Sequence, residues 1–247
     1  MSLLNQVATQ FGALLEFFTV KKLDDPFILR LRQVNAGMYR AGNDYALEYA
    51  IARINDDLSI VEIGSFCGLS TNLISHFMQI HNRTNLFFSC DMWDYSFKNM
   101  GDGTIGRSQI KGKEWGDFVG RTFIHNVQFF SQHHLPHSLK ISSTAFFEKW
   151  AAQDVMTDVF GRDAQLGGDI GLCFIDGNHE YDYVKSDFEA TDRHLVVGGY
   201  ILFDDSAALT GSKGVQRLIK ELKANNTIGQ RYELVMANPN HLLKKLS

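Results

Sequence analysis

The sequence predicts an α/β protein built on a mostly parallel, open sheet, and three observations predict it. Over residues 59–71 a short apolar run passes through a glycine loop into a helical pattern, the opening unit of a nucleotide-binding sheet. Apolar runs and amphipathic stretches then alternate along the chain. Several of the apolar runs stop at aspartate, at Asp91, Asp176 and the pair Asp204-Asp205.

Taken in order, residues 1–58 are expected to form an N-terminal helical extension, and residues 59–247 the sheet domain. Leu47, Ala50, Ile51 and Ile54 recur at helical spacing, the stripe of a helix packed beside the sheet. The apolar stretch 11–20 reads as a packing helix, with an oligomer contact or a lid as the alternatives. The run ending at Glu62 is a buried parallel strand, and Leu69, Leu73, Phe77 and Ile80 begin a helix near Ser70. Residues 85–91 form the second strand. The stretch 92–113 holds four glycines and is too long for a plain connection, so it is expected to be a functional loop, with Trp93, Tyr95 and Phe97 lining a substrate cleft.

A helix is expected over 114–130. His133, His134 and His137 lack ligand spacing and read as a solvated loop. A third strand over 138–143 leads into a helix over 144–150, and 153–169 reads as irregular. Residues 170–176 form a central strand, followed by a helix with Val184, Phe188 and Leu195 on one face. Gly198-Gly199 is expected to turn the chain into the fifth strand, 200–205. Val215, Leu218, Ile219 and Leu222 mark the next helix. Residues 231–237 and 241–246 close as a hairpin around Asn238-Pro239-Asn240, which makes the final strand antiparallel.

Composition narrows the class. With 247 residues and a net charge of −4, the chain is long enough to bury a core and has no basic run suited to nucleic acid or an acidic membrane. The three cysteines, Cys67, Cys90 and Cys173, fall on or beside predicted strands without metal-site spacing, as buried thiols of a reducing compartment do. No secretory leader and no membrane span are evident, so a cytoplasmic location is expected.

The loop points to a cofactor. Its spacing is Glu-x-Gly-x-x-x-Gly, and Phe66 stands where dinucleotide enzymes need a second glycine against pyrophosphate. A ligand without pyrophosphate fits better, and S-adenosylmethionine is the common one, its carboxylate at the helix start near Ser70. Glu62, Gly64, Ser65, Phe66, Gly68 and Ser70 are therefore candidate cofactor contacts. Asp91 lies near the spacing at which a carboxylate accepts from ribose hydroxyls. Ser143 and Thr144 sit at a strand end where adenine is read or a helix is capped. Asp176, Asp204 and Asp205, at the ends of neighbouring strands, would repel one another unless a cation lies between them; Mg2+ is the default.

The run Glu62-Ile63-Gly64-Ser65-Phe66-Cys67-Gly68-Leu69-Ser70 resembles the cofactor loop of class I methyltransferases, closest to the catechol O-methyltransferase type. Residues 174–183 with Asp204-Asp205 resemble the macrocin and mycinamicin sugar O-methyltransferases and the methyltransferase-like proteins of cephalosporin biosynthesis. The resemblance implies a Rossmann-like sheet of seven strands and adenosylmethionine in its cleft. It further implies Glu62, Gly64 and Ser70 near the methionine moiety, Asp91 on ribose, Met92 on adenine, Ser143 at the adenine edge, and Mg2+ on Asp176, Asp204 and Asp205, with Asp176 also beside the cofactor. It favours a homo-oligomer. Two departures matter. The metal motif ends Asp-Asp where catechol enzymes have Asp-Asn. His179 replaces their base lysine three residues after the first metal aspartate, which favours a sugar or other aliphatic hydroxyl.

The expected activity is Mg2+-dependent methyl transfer to a small-molecule hydroxyl. Asp176 would be catalytic through the metal, and His179 would take the proton. An NAD(P)-dependent oxidoreductase is the rival from another enzyme class. It shares the Asp91 argument but leaves the three aspartates without a task. A silent adenosylmethionine-binding subunit is the third reading.

Overall fold

A computed structural model describes residues 20–95 and 103–247. The chain runs α1 (Pro26–Val34), α2 (Gly42–Ile51), β1 (Ser59–Ile63), α3 (Leu69–Ile80), β2 (Phe87–Asp91), α4 (Gly112–Phe130), β3 (His137–Lys140), α5 (Ser143–Ala152), β4 (Val155–Thr157), β5 (Asp163–Gln165), β6 (Ile170–Ile175), α6 (Tyr181–His194), β7 (Leu195–Phe203), α7 (Lys213–Ala224), β8 (Tyr232–Ala237) and β9 (His241–Lys245). Seven strands form one sheet in the order β3-β2-β1-β6-β7-β9-β8. The first five are parallel to one another, and the β8–β9 hairpin joins β7 antiparallel, as the sequence predicts.

The central strands are apolar because both faces are covered. β1 and β6 are buried along their whole length. One face packs against α5, α6 and α7 through Phe146, Trp150, Val184, Phe188, Leu218 and Leu222. The other packs against α1, α2 and α3 through Leu31, Leu47, Ile51, Leu73 and Phe77. Leu69, Leu73 and Phe77 are buried as their spacing predicts, whereas Ile80, at the helix end, is 45% exposed. The chain lays β1, β2 and β3 outward, then returns to place β6 on the other side of β1. The crevice between β1 and β6 is the switch point where ligands bind in sheets of this kind.

Four expectations are corrected. Within 153–169, β4 and β5 pair as an antiparallel hairpin, held by Asp158, whose carboxylate accepts from the backbone of Phe160 and Arg162 and pairs with the Arg162 guanidinium. Leu195 is not on the helix face but opens β7, and that strand runs through Gly198-Gly199 rather than starting after it. A register shift against β6, between Ile170 and Leu172, absorbs the extra residues. His137 lies on β3, stacked on Phe88 and 3.2 Å from Asp158. Trp93 does not line a cleft: it is 4% exposed, packs on Phe123 and donates from its indole to the Phe66 carbonyl. Phe97 and the stretch 11–19 lie outside the described residues. The three cysteines are buried and unpaired, as expected. No helix among the described residues is long and apolar enough to cross a membrane.

Candidate active site

Three parallel strands end side by side and deliver the predicted residues to one edge. Beyond the strand ends the ladder continues: Gly64 N–H donates to the Cys90 carbonyl, Asp176 N–H to Ile63, and Asp204 N–H to Ile175. The glycine loop and the aspartates are therefore neighbours. A Cβ on Gly64 would stand 2.1 Å from the Asp176 carbonyl oxygen, and its φ is +84°, so only glycine fits.

The loop is held from three sides. Asp91 accepts at Oδ2 from the N–H groups of Ser65 and Phe66, at 3.0 and 2.9 Å, and at Oδ1 from Trp93 N–H, at 2.7 Å. The Cys67 carbonyl accepts from the amides of Asn35 and Asn126. Asn35 and Asn72 extend this buried network to Ser131. Asp91 thus fixes the loop's shape, a task its spacing alone does not reveal. Gly68, in the left-handed region, opens α3, which has no side-chain cap.

The same loop carries polar atoms without protein partners. Glu62 is fully buried; its Oε2 accepts from Thr71 at 2.5 Å, while among the described residues Oε1 has no partner, and neither has the Ser65 hydroxyl. Burial pushes the Glu62 carboxyl up to about 7, against hydrogen bonds from Ser70 and Thr71. Orphaned polar atoms beside an uncapped helix start suit a polar ligand. Met92, at the end of β2, is 49% exposed. Ser143 opens α5; the cap of that helix is Ser142, whose hydroxyl accepts from Ala145 N–H.

Across the crevice, Asp176, His179 and Asp204 each offer a ligand atom, and these atoms all lie within 4.8 Å of one another. Asp204 is 3% exposed. Its Oδ1 accepts from Asn43 at 2.6 Å and Asn240 at 2.8 Å. Burial and the Asp204 charge hold the Asp176 carboxyl well above the usual carboxylate range, and burial raises that of Asp204 despite the Asn43 bond. Their ligand atoms lie within 4.8 Å of each other, and one way to hold two carboxyl groups that close is to keep a proton on one of them. A cation is the other way to hold such a pair together, so the donors fit a divalent ion.

Asp205 stands apart from those three atoms. With φ +49° its side chain turns to the far side of His179, where Oδ2 lies 3.3 Å from Nδ1 and accepts from the Ser212 hydroxyl at 2.9 Å. The imidazole is bracketed, its Nε2 being 3.3 Å from Asp176 Oδ1. Burial pulls the His179 pKa down, but hydrogen bonds to Asp176 and Asp205 and their charges outweigh it and lift it to about 10. The His179 bond, opposed by burial and aided by Ser212, takes Asp205 down to about 2. Asn43, Asn240, Ser212 and Arg40 belong to this site and carry no sequence signal: each is a common polar residue recruited from a distant element. A groove of about 380 Å³ between α5 and α6, lined by Phe147, Arg193 and His194, lies away from this edge and includes none of these residues.

Comparison with known proteins agrees with this architecture. A family model described as a methyltransferase domain matches residues 61–206, more than half of the chain. An uncharacterised protein, R132 of Acanthamoeba polyphaga mimivirus, is 24% identical over 190 residues, 75% of this chain and 70% of that protein. An O-methyltransferase from Bacillus cereus, solved in complex with SAH, superposes with a TM-score of 0.54 at 11% identity, covering 98% of this chain and 100% of that one. CalS11, a calicheamicin methyltransferase, superposes at 0.53 with 14% identity, covering 99% and 93%. MycE, a methyltransferase of the mycinamycin pathway solved with Mg and SAH, gives 0.52 at 13% identity, over 92% of this chain and 56% of its own. At these identities the solved structures share the fold.

Proposed function

Since the chain belongs to the methyltransferase-domain family, we propose that it moves a methyl group from S-adenosylmethionine to a hydroxyl of a small molecule, a sugar or natural-product alcohol, with a divalent ion, Mg2+ by default. One observation carries the reading: the ligand atoms of Asp176, His179 and Asp204 close to within 4.8 Å, directly beside the glycine loop.

The cofactor supplies an electrophilic methyl on a sulfonium. Glu62 and Ser65, whose orphaned atoms line the loop, bind its methionine end, and the α3 N-terminus faces the methionine carboxylate. Met92 covers the adenine, and Asp91 keeps the loop in the shape that admits the ribose. Asp176 and Asp204 hold the ion, which when bound polarises the acceptor hydroxyl and lowers its pKa. Asn43 and Asn240 fix the Asp204 carboxylate; without the ion Asp176 and Asp205 keep the His179 ring protonated, and an ion that takes up the Asp176 charge would free Nε2 to accept the hydroxyl proton. Most of the acceleration then comes from holding the two reactants in line.

The test is a screen of sugar, polyketide and phenolic acceptors with methyl-labelled adenosylmethionine, with and without Mg2+. Label is expected on an aliphatic hydroxyl, suppressed by EDTA and restored by Mg2+. A thermal shift with NAD(H) and none with adenosylmethionine or its homocysteine product would overturn the reading; full turnover in EDTA would remove the ion from it.

A further inference from the structure

Asp187 is a buried acid that the proposed reaction leaves without a task. It lies midway along α6 and is 4% exposed. Burial pushes its carboxyl up to about 6; the Ser143 hydroxyl alone opposes this, and no cation among the described residues offsets it. Its charge acts, after burial, on the Cys90 thiol near the end of β2. Asp187 Oδ2 lies 3.6 Å from where a Cβ on Gly177 would stand, so the residue that follows Asp176 carries no side chain to cover it. The same Cβ would meet Ile63 Cγ2, at the end of β1, at 3.1 Å. The carboxyl thus sits beneath the crevice between β1 and β6, next to the start of α5. A buried carboxylate with one hydroxyl and no cation beside it is short of donors, and a ligand that brings N–H groups would supply them.

We propose that Asp187 is the residue that selects the purine of the cofactor: its carboxylate accepts an N–H of the adenine 6-amino group, and Gly177, having no side chain, leaves it open to the crevice. The inference rests on the reading of adenosylmethionine as the cofactor, and its test separates the two. The chemistry is one of matched sets. An amino group offers donors and a carboxylate offers only acceptors. A base without that amino group leaves the carboxylate buried and unpaired, which is how a polar site rejects an analogue of nearly the same shape. Ser143, placed at the adenine edge by the resemblance, then shares that edge with an acid from a helix four elements further along the chain. A merely structural Asp187 would serve only the N-terminus of α5, where negative charge is favoured.

Two probes are titrated by calorimetry into the unmutated protein and into Asp187→Ala. One is S-adenosylhomocysteine; the other is its analogue with a hydrogen in place of the 6-amino group. The unmutated protein is expected to prefer S-adenosylhomocysteine by about 10- to 100-fold, the size of a hydrogen bond to a charged group. In Asp187→Ala the affinity for S-adenosylhomocysteine should fall by about that factor while the affinity for the analogue stays within about threefold, so the preference disappears. A structural Asp187 predicts otherwise: both ligands weaken alike and the preference survives, a result that overturns the proposal. If Asp187→Ala fails to fold, Asp187→Asn, which keeps the shape and removes the charge, is read for a smaller loss of preference, and an unchanged preference there overturns the proposal as well. Equal binding of the two probes by the unmutated protein overturns the assignment of Asp187 and leaves the cofactor reading standing. Binding of neither probe overturns both.

Discussion

Asn43, on α2, reaches across 161 residues of sequence to donate its amide to Asp204 Oδ1 at 2.6 Å. Both side chains are buried, and the bond ties a helix preceding the first strand to the end of the fourth parallel strand from it. Asn43→Ala leaves Asp204 with the Asn240 amide alone. The expected loss is about 1–3 kcal/mol of stability, the cost of removing a partner from a buried charged acceptor. Mn2+ affinity should fall by about tenfold. Thermal melts and a metal titration check both, and an unchanged metal affinity would mean that Asn43 serves stability alone.

Glu62 gives a pH signature. Its folded pKa of about 7 lies above its ordinary 4.5, so between those values the folded chain binds the proton that the unfolded chain has released. Its contribution is therefore full below 4.5 and lost as pH rises through 7. Glu62→Gln has no such proton to lose. Its stability relative to the unmutated protein should rise from pH 5 to pH 8, by at most about 3 kcal/mol. The same variant should show a smaller thermal shift with S-adenosylhomocysteine. A stability difference that is flat with pH would refute the titration.

Asp91 separates a structural duty from a ribose-binding one. Asp91→Asn weakens acceptance from three backbone N–H groups that shape the loop. The unliganded protein should lose about 1–3 kcal/mol, read as a lower Tm before any cofactor is added. An unliganded Tm equal to that of the unmutated protein would leave ribose as its only partner.

His179→Ala should fold, keep its affinity for S-adenosylhomocysteine and turn over about a hundredfold or more slower, the usual size of a lost general base. Wild-type turnover in this variant would send the proton by another route.

What was legible in the sequence is what local pattern carries. The strand–glycine–helix unit, the run of aspartates at strand ends and the closing hairpin each lie within a short stretch whose periodicity has one good solution. The burial of Trp93 is not legible, because an aromatic residue after a strand end has no local mark of burial. Its slot is made by Gly116 and Gly120 of α4, one turn apart, where an added Cβ would stand 2.1 Å from the Trp93 carbonyl and 3.5 Å from its ring. The register shift that carries β7 through Gly198-Gly199 is set by β6 and not by the glycines themselves. Arg40, Asn43, Ser212 and Asn240 were illegible for a related reason: their roles exist only once helices and loops from three regions meet at one strand end.

The double clamp on Asp204 also sets a timetable. Asn240 lies 36 residues after Asp204, in the turn of the β8–β9 hairpin, and its side-chain Oδ1 accepts from the backbone N–H groups of Ser206 and Ala207. A chain emerging N-terminus first forms the glycine loop, with β1, β2 and α3, long before this turn is made. The strand and helix that flank the glycine loop are thus made while the Asp204 side of the crevice still lacks its final hydrogen bonds. The β8–β9 hairpin, made after both, is the piece that closes the clamp on Asp204.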